Sequence, residues 1–117
     1  GSQKFDVKKY KKDFLPNKKI KEYLIDNFNQ NISLDELSNL TNMNKYQLIR
    51  SFKKEYNLTP HQFLNLIKIN KSKEFLSKGF SIIDTALECG FFDQSHLSRY
   101  FKSYTGVRPT IYENASK

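Results

Sequence analysis

Two stretches of this chain repeat one another, and the repeat limits what it can fold into. Leu48, Arg50, Phe52, Lys53 and Pro60 recur 49 residues later as Leu97, Arg99, Phe101, Lys102 and Pro109. Asn44 and Asp93 share that spacing, and both residue types favour the N-cap of a helix. Upstream the spacing is 48, pairing Ser33 with Ser81, Ser38 with Ala86, Asn42 with Gly90 and Met43 with Phe91. The second copy thus has one extra residue in its inter-helix turn. Each copy reads as a cap, a short helix, a left-handed residue, a second cap and a basic amphipathic helix. That is a helix-turn-helix organisation, present twice.

The rest of the chain reads as helix too. Apolar residues recur at helical spacing and strand alternation is nearly absent. The expected fold class is all-α, about seven helices, with two helix-turn-helix subdomains joined by a long central helix. Residues 3–16 form a Lys-rich linker or leading helix, with Phe5, Val7, Tyr10 and Phe14 interspersed. Helix 1 is expected over about 17–29, with Ile20, Tyr23, Leu24 and Phe28 on one face. Ser33 and Glu36 make a capping box that opens helix 2, which stops near Asn42. Asn44 caps helix 3, which runs to about Asn57 with Leu48 and Phe52 inward. Thr59, Pro60 and Gln62 open helix 4, which ends at Gly79 and carries Phe63, Leu66, Ile67, Ile69, Phe75 and Leu76. Ser81 opens helix 5, which ends at Gly90. Asp93 caps helix 6, with Leu97, Phe101 and Tyr104 facing in, and Arg108-Pro109 opens helix 7 with Ile111 and Tyr112. Each of the three prolines (Pro16, Pro60 and Pro109) is placed just before or at a helix start.

Composition then excludes whole classes. One cysteine, Cys89, rules out a disulfide framework and a Cys-based zinc site, and His61 and His96 are far apart. No metal and no cofactor is expected. No apolar run approaches the ~18 residues of a membrane span, so no membrane partner is expected. There are no paired carboxylates at catalytic spacing, no Gly-rich phosphate loop and no nucleophile–base set, so the chain does not read as an enzyme. The formal charge of +8 suggests an anionic partner. It is banded: +6 over residues 1–21, −4 over 22–44, +6 over 45–78, −3 over 79–93 and +3 over 94–117. An acidic supporting segment precedes a basic segment twice.

In a helix-turn-helix the second helix enters the major groove and its outer face meets bases. Opposite Leu48 and Phe52 that face carries Tyr46, Ile49, Arg50 and Lys53, with Lys45 at the helix start. The equivalents on helix 6 are Ser95, Ser98, Arg99 and Lys102. Arg50 and Arg99 are the base-reading candidates, because Arg bonds guanine O6 and N7 bidentately. Tyr46 and Ile49 suit thymine methyl groups, and an isoleucine facing water beside Arg50 has no packing motive unless something apolar covers it. Gln94 can bond adenine or phosphate, and Ser95 and Ser98 can bond either bases or phosphates. His96 fits an N3 capping side chain or a phosphate contact, with base reading as an alternative and metal ligation a remote one. Free N–H groups at the helix N-termini suit phosphates as well. The alternatives for these residues are a merely solvated basic face for Arg50 and Lys53, and packing on helix 1 for Tyr46 and Ile49. His61 reads as exposed, Cys89 as a small buried residue, and the phenylalanines at 52, 63, 75, 91 and 101 as core.

The stretch Ala86-Leu87-Glu88-Cys89-Gly90-Phe91, then Asp93 to Lys102, then Gly106-Val107-Arg108-Pro109 and Tyr112, resembles the C-terminal signature of the AraC/XylS family of bacterial transcription regulators. Leu48 to Lys54 is similar to the family's first unit, and the resemblance covers about residues 18–113. It implies two recognition helices in successive major grooves on one side of duplex DNA. A helix 4 of nineteen residues would span about 28 Å at ~1.5 Å each, compatible with grooves roughly 34 Å apart. Arg108 stands where a Thr or Ser cap is usual, Glu113 where an Arg is common, and Asn42 and Asn57 where Gly often occurs.

The expected division is 1–16 as tag scar (Gly1-Ser2) and basic leading segment, 17–57 and 80–117 as helix-turn-helix subdomains, and 58–79 as the linking helix. The expected function is sequence-specific double-stranded DNA binding in the bacterial cytoplasm, at the nucleoid, by an activator rather than a repressor. RNA polymerase is a candidate further partner, and a separate N-terminal sensor or dimerisation domain is expected in the full-length protein. One alternative is a protein-interaction module that docks polymerase or another regulator through Tyr46 and Ile49. Another is the DNA-binding part of a repair activator with an alkyl-accepting cysteine domain, for which Cys89 is a poor acceptor.

Overall fold

The computed structural model describes the backbone of residues 7–115 and the side chains of residues 15–112. Among the described residues there are seven helices and no strand: α1 Val7–Asp26, α2 Leu34–Thr41, α3 Lys45–Tyr56, α4 Pro60–Ser77, α5 Ile82–Glu88, α6 Gln94–Thr105 and α7 Thr110–Ala115. Gly1-Ser2 and the first residues of the basic leading segment lie outside them.

The first helix differs from the sequence expectation. It begins at Val7 rather than near residue 17 and passes through Pro16. Proline removes one backbone donor and crowds the preceding turn, a cost of about 3 kcal/mol. The lysines ahead of it are good helix formers, and Asn17 and Ile20, just after it, are both fully buried. Packing of that second half holds the helix across the proline. The helix also ends at Asp26, so Phe28 leaves the face of Ile20 and Leu24 and serves another core.

The chain forms two compact units. The first takes the residues up to Asp26 together with Ile32–Gln62. Here α1 packs on α2 and α3, and Ile20, Leu24, Leu37, Met43, Leu48 and Phe52 are buried. Asn17, on α1, donates from Nδ2 to Ser51 Oγ at 2.9 Å and to Glu55 Oε2 at 3.0 Å, both on α3. Tyr23 donates to Glu36 Oε2 at 3.0 Å, linking α1 to α2. That bond to a carboxylate raises the tyrosine pKa above its ordinary value. The capping box of α2 is present: Ser33 Oγ accepts from the Glu36 amide at 3.1 Å while the Glu36 side chain accepts from the Ser33 amide. Asn42 and Asn57 take left-handed backbone, φ +58° and +64°, and close α2 and α3. Thr59 and Gln62 cap the start of α4 reciprocally, at 3.2 and 3.0 Å.

The second unit takes Asn27–Asn31 with the residues from Phe63 onward. Its core holds Ile69 and Leu76 of α4, Ile82 and Ala86 of α5, Cys89, Phe91, and Leu97 and Phe101 of α6. Phe28, Phe75, Tyr100, Val107 and Tyr112 pack against it. Tyr112 of α7 meets Phe101 edge-on at 5.4 Å. Tyr104, expected inward, is 37% exposed and stacks on Tyr100 instead. Lys68 and Ser72, which the apolar reading of helix 4 passed over, are buried on α4.

Gly90 closes α5 at φ +76°. A Cβ there would stand 2.4 Å from the carbonyl oxygen of Asn29, so the position needs glycine for shape as well as for backbone conformation. Gly79 also has positive φ, but nothing lies within 4 Å of its Cβ direction. Gly90→Ala should therefore destabilise by roughly 3 kcal/mol, against about 1–2 kcal/mol for Gly79→Ala, which carries only the left-handed penalty. Urea unfolding of the two variants measures the difference. Equal costs would mean that the Asn29 backbone yields freely.

Candidate nucleic-acid interface

In the first unit, Leu48 and Phe52 are completely buried and fix the rotation of α3 about its axis. The opposite face then carries Tyr46, Arg50 and Lys53 in solvent, with Ile49 at the half-buried edge. Tyr46 is 81% exposed, which places it away from any packing role. Ile49 differs from the sequence expectation. It is partly covered, because it follows Leu48 by one position and sits beside the packed stripe, so its exposure is no argument for an apolar ligand. Lys45, at the start of the helix, is paired with Asp35 Oδ1 at 2.6 Å, both side chains remaining more than half exposed. A surface pair of this kind contributes little and is readily exchanged.

The second unit repeats the arrangement. Leu97 and Phe101 are completely buried on α6. Gln94, Ser95, Arg99 and Lys102 are exposed, and Ser98 and His96 are half-buried. The α6 face is polar throughout, whereas the α3 face mixes Tyr46 and Ile49 with its bases.

Both helices begin with a side-chain cap. Asn44 Oδ1 accepts from the Gln47 amide at 2.8 Å and Asp93 Oδ1 from the His96 amide at 2.7 Å. Those two amides are used, so the donors facing outward at each N-terminus are fewer than the sequence suggested. Of the roles considered for His96, a capping contact is seen. Its Nδ1 accepts from the Phe92 amide at 3.3 Å, and its ring lies edge-on to Phe91 and Tyr100, at 5.5 and 4.7 Å.

Phe92 is a residue the sequence reading left without a role. It is 88% exposed immediately before the α6 cap. The signal that could have found it is the step in repeat spacing, which makes Phe92 the extra residue of the second turn. Cys89 is fully buried, and burial pushes its thiol pKa up, which opposes an alkyl-accepting role. His61 is exposed. Among the described residues no group of three His, Cys, Asp or Glu could hold a metal ion, and no helix is long and apolar enough to cross a membrane.

Each helix-turn-helix unit thus presents an exposed Arg and Lys at matched positions, Arg50 and Lys53 on α3, Arg99 and Lys102 on α6. Residues 37–115 match the family described as "Helix-turn-helix domain". The chain is 41% identical over 80 residues to the helix-turn-helix-type transcriptional regulator YbfI of Bacillus subtilis (strain 168), a match covering 68% of this chain and 29% of that protein. The chain therefore spans less than a third of that relative's length. The crystal structure of a probable AraC family transcriptional regulator from Rhodopseudomonas palustris CGA009 superposes with a TM-score of 0.80 at 21% identity, over 88% of this chain and 98% of that one. The DNA-binding domain of AdpA, a global transcriptional factor solved in complex with a target DNA, superposes with a TM-score of 0.79 at 20% identity, over 86% and 91%. Both share the fold. Relatives of this kind are transcriptional regulators and not enzymes. The chain belongs to the AraC/XylS family of helix-turn-helix, DNA-binding transcription regulators.

Proposed function

We propose that α3 and α6 are the two recognition helices and that each reads base edges in a major groove of double-stranded DNA. The observation that carries this is the matched register. Opposite a buried Leu and Phe, each helix presents an exposed Arg and, three residues on, an exposed Lys: Arg50 and Lys53, then Arg99 and Lys102. Arg50 and Arg99 read guanine. Tyr46 and Ile49 meet thymine methyls, while Gln94, Ser95 and Ser98 bond bases or phosphates. Lys45, Lys53, Lys102 and the Nε2 side of His96 serve the phosphate backbone. The reading subdomains are the two units built around α3 and α6, and most of α4, the helix expected to link them over 58–79, belongs to the second.

We further assign this domain to a cytoplasmic activator that works with RNA polymerase and carries a separate sensing or dimerising domain. The small fraction of YbfI that the match covers supports a longer full-length protein. Transcription in vitro from a promoter bearing the selected site, with and without the protein, tests the activator role.

A second reading rests on Tyr46, a large ring 81% exposed, which would suit a protein partner. Binding that ignored salt and competitor DNA would favour it.

Selection from random duplexes at stated salt should yield a bipartite site with half-sites about one helical turn, ~34 Å, apart. Arg50→Ala or Arg99→Ala should each cost about 1–3 kcal/mol at that site and relax preference at one base position. If the double variant kept full affinity and selectivity, the assigned faces would be wrong. Lys53→Ala and Lys102→Ala should instead weaken all sequences alike. Each should lower the slope of log K against log salt by about 0.9, read from titrations between 50 and 200 mM salt, roughly the range over which phosphate contacts are most evident.

A further inference from the structure

The two inter-helix turns are held by different chemistry. In the first unit the hydroxyl of Ser38, on α2, donates to the carbonyl of Met43 at 2.5 Å. The bond is local, five residues long, and ties the turn to the helix before it. The repeat places Ala86 where Ser38 stands and Phe91 where Met43 stands. Alanine has no side-chain donor, so the second turn keeps its local backbone bond, from the Phe91 amide to the Ala86 carbonyl at 2.9 Å, but lacks this side-chain bond.

A lysine from another helix takes over. Lys68, in the middle of α4, is 6% exposed. Its Nζ donates to the carbonyl of Gly90 at 3.1 Å and lies 5.7 Å from the centre of the Phe91 ring. The Gly90 carbonyl is at the C-terminal end of α5, where unsatisfied carbonyls and the negative end of the helix dipole favour a cation. The Asn29 backbone also leaves no room for a Cβ on Gly90. Two distant segments thus meet the turn at this one residue. From it the path to α6 is short: Phe91 meets the ring of His96, and His96 both receives the Asp93 cap and accepts from Phe92. Burying an ammonium costs several kcal/mol unless it is well partnered. Burial also holds Lys68 below the ordinary lysine pKa. A lysine kept there at that cost has a task that the neighbouring apolar residues cannot perform.

We propose that Lys68 is a positioning residue for the second recognition helix: its buried ammonium supplies a side-chain hold on the α5–α6 turn at the Gly90 carbonyl, one residue before the carbonyl that would match the one Ser38 holds in the first turn, and sets the reading register of α6 alone. The inference rests on α6 being a reading helix. It makes the two half-sites separately adjustable, one through Ser38 and the other through Lys68.

Binding-site selection and half-site-resolved titration with the full chain test it. Lys68→Met keeps the side-chain length and removes the donor. It should flatten base preference in the Arg99 half-site and weaken binding about tenfold, with preference in the Arg50 half-site unchanged. Ser38→Ala should give the mirror image. Lys68→Arg, which keeps a cationic donor, should retain both preferences. Amide exchange should show Phe91–Asp93 opening in Lys68→Met while Leu97 and Phe101 stay protected. Should Lys68→Met fail to fold, Ala86→Ser added to it should restore folding and the half-site preference through the introduced hydroxyl. Failure of that rescue overturns the proposal, as does unchanged Arg99-half preference in a folded Lys68→Met. If Arg99→Ala also leaves that half-site untouched, the reading of α6 has failed. If Arg99→Ala alters it and Lys68→Met does not, only the positioning role has failed.

Discussion

Leu48 and Phe52 on α3, and Leu97 and Phe101 on α6, have no surface left in solvent. Each pair sits four residues apart, one above the other on a helix face. Once both members are buried, the helix has no rotational freedom about its axis. The direction of every other side chain follows at about 100° per residue. Arg50 and Arg99 face outward because their neighbours face inward. The surface offered to DNA is therefore set by apolar packing, and the charged residues gain their orientation from it.

Holding the rotation is not enough, because the start of each recognition helix must also be fixed. The two units solve this with shared and with separate devices. Both use a short polar cap, Asn44 or Asp93, and both end the preceding helix on left-handed backbone, at Asn42 or Gly90. They part at the turn itself. Ser38 adds a side-chain bond to the first from within, and Lys68 adds one to the second from α4, where the Asn29 backbone also lies close to Gly90. The second turn closes its own backbone through the Phe91 amide and the Ala86 carbonyl, and the long-range contact adds a dependence on α4 that the first turn does not have.

Much of this was legible in the chain. The caps at Ser33, Asn44, Thr59, Ser81 and Asp93, the left-handed residues and the buried phenylalanines are local signals, and local chemistry decides them. The exceptions share a cause. Pro16 and the lysines before it read as a boundary, yet α1 runs through them because its second half is anchored on α3 through Asn17. Lys68, which the apolar reading of helix 4 passed over, is buried. In each case the outcome depends on a residue distant in sequence, which periodicity cannot see.

The sequence by itself determined the helices, the duplication and the registers of the basic faces, since propensity, capping and apolar spacing act within a few residues. It also determined that the second turn is one residue longer. Only the tertiary structure decided that the extra residue, Phe92, stands in solvent, that Phe28 joins the second core, and that a buried ammonium holds Gly90. Those are contacts between segments whose separation along the chain carries no pattern, and they form only when packing brings the segments together.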